Sequence, residues 1–289
     1  MLGGLLRRFA GGAAPAAEIL PENLDLAQGQ GVRVIKPLAQ DGYASIVNTA
    51  QGFFIFNRND LGVGWQLSTY NAYDPEQMHI LADMVRATQP APVILDIGAN
   101  IGVAAVVLAR VAGPRGQVHA FEPQRLLFHM LAGNIALNGL DNVHCHLLAV
   151  GAGSGTARLP RLNYRTAGNF GSVELNRAAQ SDAQQQALDG QYEDVPTTSI
   201  DLLGLPRVDM IKVDVEGMED QVLAGATRVL REQRPLLYLE FIKSDKASLW
   251  RVLDECGYLL YEAQGNFVCI HGEDSRRATL IKDLQPWRP

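Results

Sequence analysis

Val93-Ile94-Leu95-Asp96-Ile97-Gly98-Ala99-Asn100-Ile101-Gly102 is the stretch that decides how this chain is read. An apolar strand breaks into a glycine loop and continues at once as a helix. Glycine has no Cβ and takes positive φ, so such a loop brings backbone close to a ligand. Twenty positions after Gly102 the pattern is answered: Val118-His119-Ala120-Phe121-Glu122 is a second strand ending in a carboxylate. A glycine turn after one strand and an acid after the next is the layout of a nucleoside-binding α/β site.

A dinucleotide site asks for G-x-G-x-x-G, so that backbone amides reach a pyrophosphate at a helix N-terminus. Counting from Gly98, Asn100 and Val103 stand where the second and third glycines belong. A nucleoside without a diphosphate fits better, and S-adenosylmethionine is such a ligand. In that reading Asp96 makes a polar contact to the amino group of the cofactor, or holds the glycine loop through backbone N–H groups. Gly98, Asn100 and Gly102 line the cofactor, with Asn100 also suited to a helix cap. Glu122 accepts two hydrogen bonds from the ribose diol, and Ala149 leaves room for the adenine edge.

Working outward, 289 residues allow one sizeable α/β domain plus an appendage. A net charge of −6 argues against a broad nucleic-acid surface. Cys145, Cys256 and Cys269 are odd in number and widely spaced, which suggests neither a disulfide framework nor a zinc knuckle but free thiols in a reducing cytoplasm. Met1 to Phe9 has two arginines in the wrong order for a secretory signal, and no run of eighteen apolar residues follows. Residues 1–31, rich in Ala, Gly and Pro, read as a loose leader.

Residues 32–73 read as a small β-rich cap with runs at Tyr43–Asn48, Phe53–Phe56 and Gly64–Thr69. Asp74-Pro75-Glu76-Gln77 then opens a helix, with Asp74 as N-cap and Gln77 reaching back. The methyl-donor domain spans 74–289. Within it, strands are expected at 93–97, 117–121, 143–149, 208–214 and 236–241, and helices at 102–112, 124–137, 217–232 and 245–256. This alternation implies a mainly parallel sheet covered on both faces. Tyr258–Glu262, Gly265-Asn266 and Phe267–His271 form a closing hairpin, which suits a seven-stranded methyltransferase sheet rather than an NAD-binding domain. Residues 151–198 are an extended insertion, carrying Gly168–Ser172 and a polar helix-like stretch Gln180–Leu188, and are expected to cover the substrate.

The second constellation is Lys212-Val213-Asp214-Val215-Glu216-Gly217-Met218-Glu219. Strand periodicity puts Lys212, Asp214 and Glu216 on one face, and a lysine inside an apolar strand needs carboxylate partners. If this strand lies between the first and the fifth, Asp96 and Glu240 supply them, giving a charged cluster at the mouth of the sheet. Asp214 or Glu216 is then placed to take a proton from a hydroxyl. The spacing alone does not establish a metal held by Asp214, Glu216 and Glu240, and no metal is assigned. Glu219 reads as structural, at a helix start. His271 is a secondary candidate base, and Tyr70 and Tyr73 are candidates to pack over the cofactor.

Together these residues resemble the FkbM family of SAM-dependent methyltransferases. The resemblance rests on Asp96 to Gly102, Phe121-Glu122-Pro123, Asn134 with Asn138, Lys212-x-Asp214-x-Glu216-Gly217-x-Glu219, and Arg234-Pro235 with Glu240; it covers about residues 70–242. It implies a class I methyltransferase fold and O-methylation of a hydroxyl on a sugar, glycolipid or polyketide-type product. The competing readings are a noncatalytic SAM-binding protein and an NAD-dependent oxidoreductase.

Overall fold

A computed structural model describes residues 33–35, 42–172, 187–281 and 285–289. The expected leader lies outside these residues, as does all of the polar stretch before Ala187. The described residues begin with antiparallel β1 (Arg33–Ile35), β2 (Ala44–Thr49) and β3 (Gly52–Asn57), followed by α1 (Val63–Tyr70) and α2 (Pro75–Ala87). The alternating part is β4 (Val93–Ile97), α3 (Val103–Ala112), β5 (Gln117–Phe121), α4 (Arg125–Leu137) and β6 (Val143–His146). Next come β7 (Ala149–Val150), β8 (Gly155–Leu162) and β9 (Ala187–Thr198). The chain then runs through β10 (Met210–Val213), α5 (Glu219–Ala224), α6 (Thr227–Glu232), β11 (Leu236–Glu240) and α7 (Lys246–Glu255). It ends in the hairpin β12 (Tyr258–Ala263) and β13 (Asn266–His271), then α8 (Arg277–Leu280).

The main sheet has seven strands in the order β12-β13-β11-β10-β4-β5-β6. Strands β11, β10, β4, β5 and β6 are parallel, and β13 joins β11 antiparallel. This is the expected class I methyltransferase sheet, with β10 between β4 and β11. Side chains alternate across it, so Ile94 joins a core with Met84, Val106 and Leu131, while Leu95 and Ile97 join one with Val222, Leu230 and Leu253. Both faces are covered, as a parallel sheet requires.

The cap shares the first of these cores: Val47, Phe54 and Phe56 pack with residues of α2 and α3. Its edge strand β3 is bound by two amides on α4. Asn134 Oδ1 accepts from Ile55 N (2.5 Å) and its Nδ2 donates to Ile55 O (3.0 Å) and Ile101 O (2.8 Å). One turn later Asn138 Oδ1 accepts from Phe53 N (3.1 Å) and Nδ2 donates to Phe53 O (2.7 Å). The two side chains stand in for a neighbouring strand, satisfying an edge that otherwise exposes unpaired backbone.

The structure departs from the sequence reading in five places. Gly64–Thr69 is not a strand but the body of α1, because Asp60 just upstream caps it: Oδ1 accepts from Gly62 N (3.1 Å) and Oδ2 from Gly64 N (2.7 Å). Asp74 does cap α2 through Gln77 N (3.0 Å), but Gln66 Oε1, not Gln77, accepts from Asp74 N (3.4 Å). The expected strand 143–149 ends at His146, and Ala149 belongs to β7, which pairs with β9 in a separate sheet of order β7-β9-β8. Consequently the insertion is built on a long antiparallel β8–β9 pairing rather than an irregular loop, and Ala187 and Leu188 are strand. The helix expected over 217–232 is two helices, interrupted at Gly225-Ala226.

Candidate functional site

The loop after β4 folds over the end of β5. Gly98 N and Ala99 N both donate to Phe121 O (3.0 and 2.9 Å). Asn100 takes φ +52°, and its N–H donates to Glu122 Oε2 (2.9 Å), while Gln124 N donates to Oε1 (2.8 Å). Glu122 is nearly fully buried, and burial outweighs the two N–H donors, pushing its carboxyl up to about 7. Gly98 has φ +79°, and a Cβ there would lie 1.8 Å from Asp214 O. A Cβ on Gly102 would lie 2.5 Å from Leu131 Cδ1 on α4. Both glycines are therefore demanded by contact with the protein itself; Gly98 also borders the cavity described below, whereas Gly102 does not.

Strand β10 carries the charge. Its register sets Lys212 beside Asp96 of β4, and the ammonium lies 3.1 Å from Asp96 Oδ1 and 3.6 Å from Asp214 Oδ2. It also donates to Gly98 O (3.4 Å). The Asp96 side chain is 0% exposed and that of Asp214 26%. Asp96 Oδ2 is buried without a hydrogen-bond partner among the described residues. Burial alone pushes the Lys212 ammonium down, but Asp96, Asp214 and Glu240 outweigh it and raise it, so the lysine stays charged. The expected cluster is thus assembled.

Beyond the strand the chain turns at Glu216, which takes φ +57° and pairs with Lys243 (2.6 Å). Glu219, buried at the start of α5, holds that turn: Oε1 accepts from Val215 N (3.1 Å) and Gly217 N (3.3 Å), and Oε2 accepts from the Ser244 hydroxyl. Its role is structural, as expected.

Two cavities meet at the carboxyl ends of these strands, the edge where open α/β sheets bind ligands. The larger, about 250 Å³, is bordered by Gly98 to Ile101, Lys212, Asp214, Glu216 and Glu240. Its roof is α1 with Gly62, Val63 and Gln66, together with Tyr73, Gln77, Asn169 and Gly171. The second is an apolar cleft between Ile97, Phe121, Leu148, Ala149, Val150 and Met218. Gly98, Glu122, Gly171, Asp214 and Glu216 border both. The roof joins two distant segments: Leu61 N donates to Gly168 O (2.9 Å), Gly168 N to Asn59 O (2.8 Å) and Asn57 Nδ2 to Tyr164 O (2.9 Å).

Of the residues singled out from sequence, Asp96 and Gly102 stand just behind the cavity wall, and Gly98, Asn100, Glu122, Ala149, Lys212, Asp214 and Glu216 border one cavity or both. Tyr73 is in the roof, but Tyr70 is exposed and packs edge-on to Trp65. His271 meets Tyr258 edge-on and borders neither cavity. Asn169 lies in the Gly168–Ser172 stretch of the insertion expected to cover the substrate, whereas Gln66 and Gln77 were not anticipated as cavity residues; polar positions on these helices give no periodic signal. Asp214, Glu216 and Glu240 lie close enough together to hold a cation. Among the described residues, no helix is long and apolar enough to cross a membrane.

Residues 96–260 match the Methyltransferase FkbM domain, and the chain belongs to that family. Its cofactor is S-adenosylmethionine, in keeping with the class I fold. Methyltransferase sdnD of Sordaria araneosa is 30% identical over 158 residues, 46% of this chain. The chain spans 60% of the length of that relative. Among solved structures, methyltransferase FkbM of Methylobacillus flagellatus is 15% identical with a TM-score of 0.43, covering 69% of this chain and 56% of that one. A SAM-dependent O-methyltransferase of Thermotoga maritima is 14% identical with a TM-score of 0.38, covering 77% and 67%.

Proposed function

We propose that this chain transfers a methyl group from S-adenosylmethionine to a hydroxyl of a sugar, glycolipid or polyketide-type small molecule, as one domain with its own cap. The observation that carries the reading is the junction of an apolar cleft and a charged cavity at Glu122. The cleft between Phe121, Ala149 and Met218 suits a flat purine. Each Glu122 oxygen accepts one backbone N–H and retains a lone pair for a ribose hydroxyl. The polar end of the cofactor then runs along Gly98 and Asn100 toward β10, with Asp96 behind the loop held through Lys212.

When bound, the cofactor supplies an electrophilic methyl on a sulfonium cation. Carboxylates around the cavity favour that cation, and Lys212 keeps Asp214 and Asp96 from repelling each other. The remaining work of the protein is to orient a hydroxyl in line with the methyl and to take its proton. Asp214 and Glu216 border the space for this. A nicotinamide dinucleotide is disfavoured, since the same carboxylates would face its pyrophosphate. Three thiols without a disulfide support a cytoplasmic setting, and a net charge of −6 supports a small-molecule acceptor rather than nucleic acid.

The test is titration with S-adenosylhomocysteine, then transfer of isotopically labelled methyl to a panel of polyols, sugars and polyketides. Failure to bind overturns the cofactor assignment. Binding without transfer to any acceptor favours a noncatalytic SAM-binding protein.

A further inference from the structure

Besides Glu122, three carboxylates border the cavity, and they are not equivalent. Asp214 lies 3.6 Å from the Lys212 ammonium, and Glu216 lies 2.6 Å from that of Lys243. An oxygen committed to an ammonium is less free to meet an incoming hydroxyl. Glu240, at the end of β11, has neither an ion pair nor a side-chain hydrogen bond among the described residues, yet it faces the same space. The strand order β5-β4-β10-β11 sets Glu122 and Glu240 at opposite ends of the cavity, three strand spacings or about 14 Å apart. A ligand with its ribose at Glu122 therefore extends toward Glu240.

We infer that Glu240 is the general base that accepts the hydroxyl proton of the methyl acceptor. This rests on the methyltransferase reading above and names the group within that site. As the hydroxyl oxygen bonds to the methyl carbon, its O–H bond breaks and the proton passes to a Glu240 oxygen. The electron pair of the broken carbon–sulfur bond stays on sulfur, which becomes a neutral thioether. One cation and one carboxylate thus become a thioether and a carboxylic acid, and charge balances.

The surroundings agree with this role. Glu240 faces Lys212, Asp214, Glu216 and Glu219 from β10 and the chain after it, Tyr73 from the roof, and Tyr238 on its own strand. Burial and then the like charges of Asp214 and Glu216 push its carboxyl up to about 8, which matches a base working near neutral pH.

The acceptor is unidentified, so the probe is sinefungin, whose ammonium replaces the sulfonium methyl, measured against S-adenosylhomocysteine by calorimetry from pH 6.5 to 8.5. The wild-type chain is expected to prefer sinefungin by at least about tenfold, with the preference growing as pH rises and Glu240 ionises. Glu240→Gln should reduce the preference to near unity and flatten its pH dependence, leaving S-adenosylhomocysteine affinity within about threefold. Asp214→Asn and Glu216→Gln should each keep most of the preference. If Glu240→Gln keeps it, or if Asp214→Asn alone abolishes it, the assignment is overturned. If neither ligand binds the wild-type chain, the cofactor reading fails instead, and the two failures are separate.

Discussion

Replacing Lys212 with Met removes the only cation that touches Asp96 among the described residues and leaves that carboxyl fully buried. Asp214 is 26% exposed and regains water, so the loss falls on Asp96. With no cation at hand, Asp96 escapes the cost of a buried charge by keeping its proton. A carboxyl held neutral in the folded state costs about 1.4 kcal/mol for each pH unit above its unfolded pKa near 3.9. That is about 4 kcal/mol at pH 7 and about 1.5 kcal/mol at pH 5, within the usual range for breaking a buried pair. The sign follows: the folded pKa is raised, so the folded state binds the extra proton and stability falls as pH rises. Urea unfolding at pH 5, 6 and 7 reads this directly, with an unchanged m-value confirming that the same surface unfolds. Asp96→Asn/Lys212→Met should lose the pH slope. A loss under about 1 kcal/mol at pH 7, or one equal at pH 5 and 7, refutes the reasoning.

Glu122→Gln should weaken S-adenosylhomocysteine binding by roughly 10- to 150-fold, the value of charge-assisted hydrogen bonds, as measured by calorimetry. In the wild-type chain the ribose diol favours the ionised form of a group poised near 7, so affinity should fall about tenfold from pH 8 to pH 6; a flat profile counts against Glu122 as the ribose contact. Asn134→Leu orphans three backbone groups at roughly 1–3 kcal/mol each and frees the edge of the cap, which hydrogen exchange should register at residues 52–57 before the main sheet. Gly98→Ala should cost more than about 2 kcal/mol and abolish binding, because its Cβ meets the Asp214 carbonyl at 1.8 Å. Gly102→Ala should cost less, since a leucine side-chain end gives way more easily than backbone; the reverse ranking in thermal unfolding would contradict this account.

The parallel strands and the charged cluster were legible in the sequence because each is a short apolar run closed by glycine or an acid. Lys212 was especially informative, since an ammonium inside a strand demands carboxylates, and strand order alone names Asp96. The roof was not legible. Residues 64–69 carry Trp, Leu and Thr, which suit a strand, and what makes them a helix is a carboxylate four residues before Gly64. Asn134 and Asn138 stood out as a pair, but their partners lie 79 and 85 positions away in the chain, beyond any local pattern. Nor does spacing reveal which of three acids is left without a cation, because Lys243 reaches Glu216 from the loop after β11.

The ceiling stitched from the turn after β3 and the loop ahead of Ser172 makes closure over the cavity depend on two segments far apart in the chain. Asn57 and Tyr164 are joined although 107 positions separate them. A chimera that imports one segment from a relative breaks the hydrogen bonds at the seam and loses closure, whatever the imported residues would have recognised. An exchange of the roof therefore keeps its seam when both segments travel together.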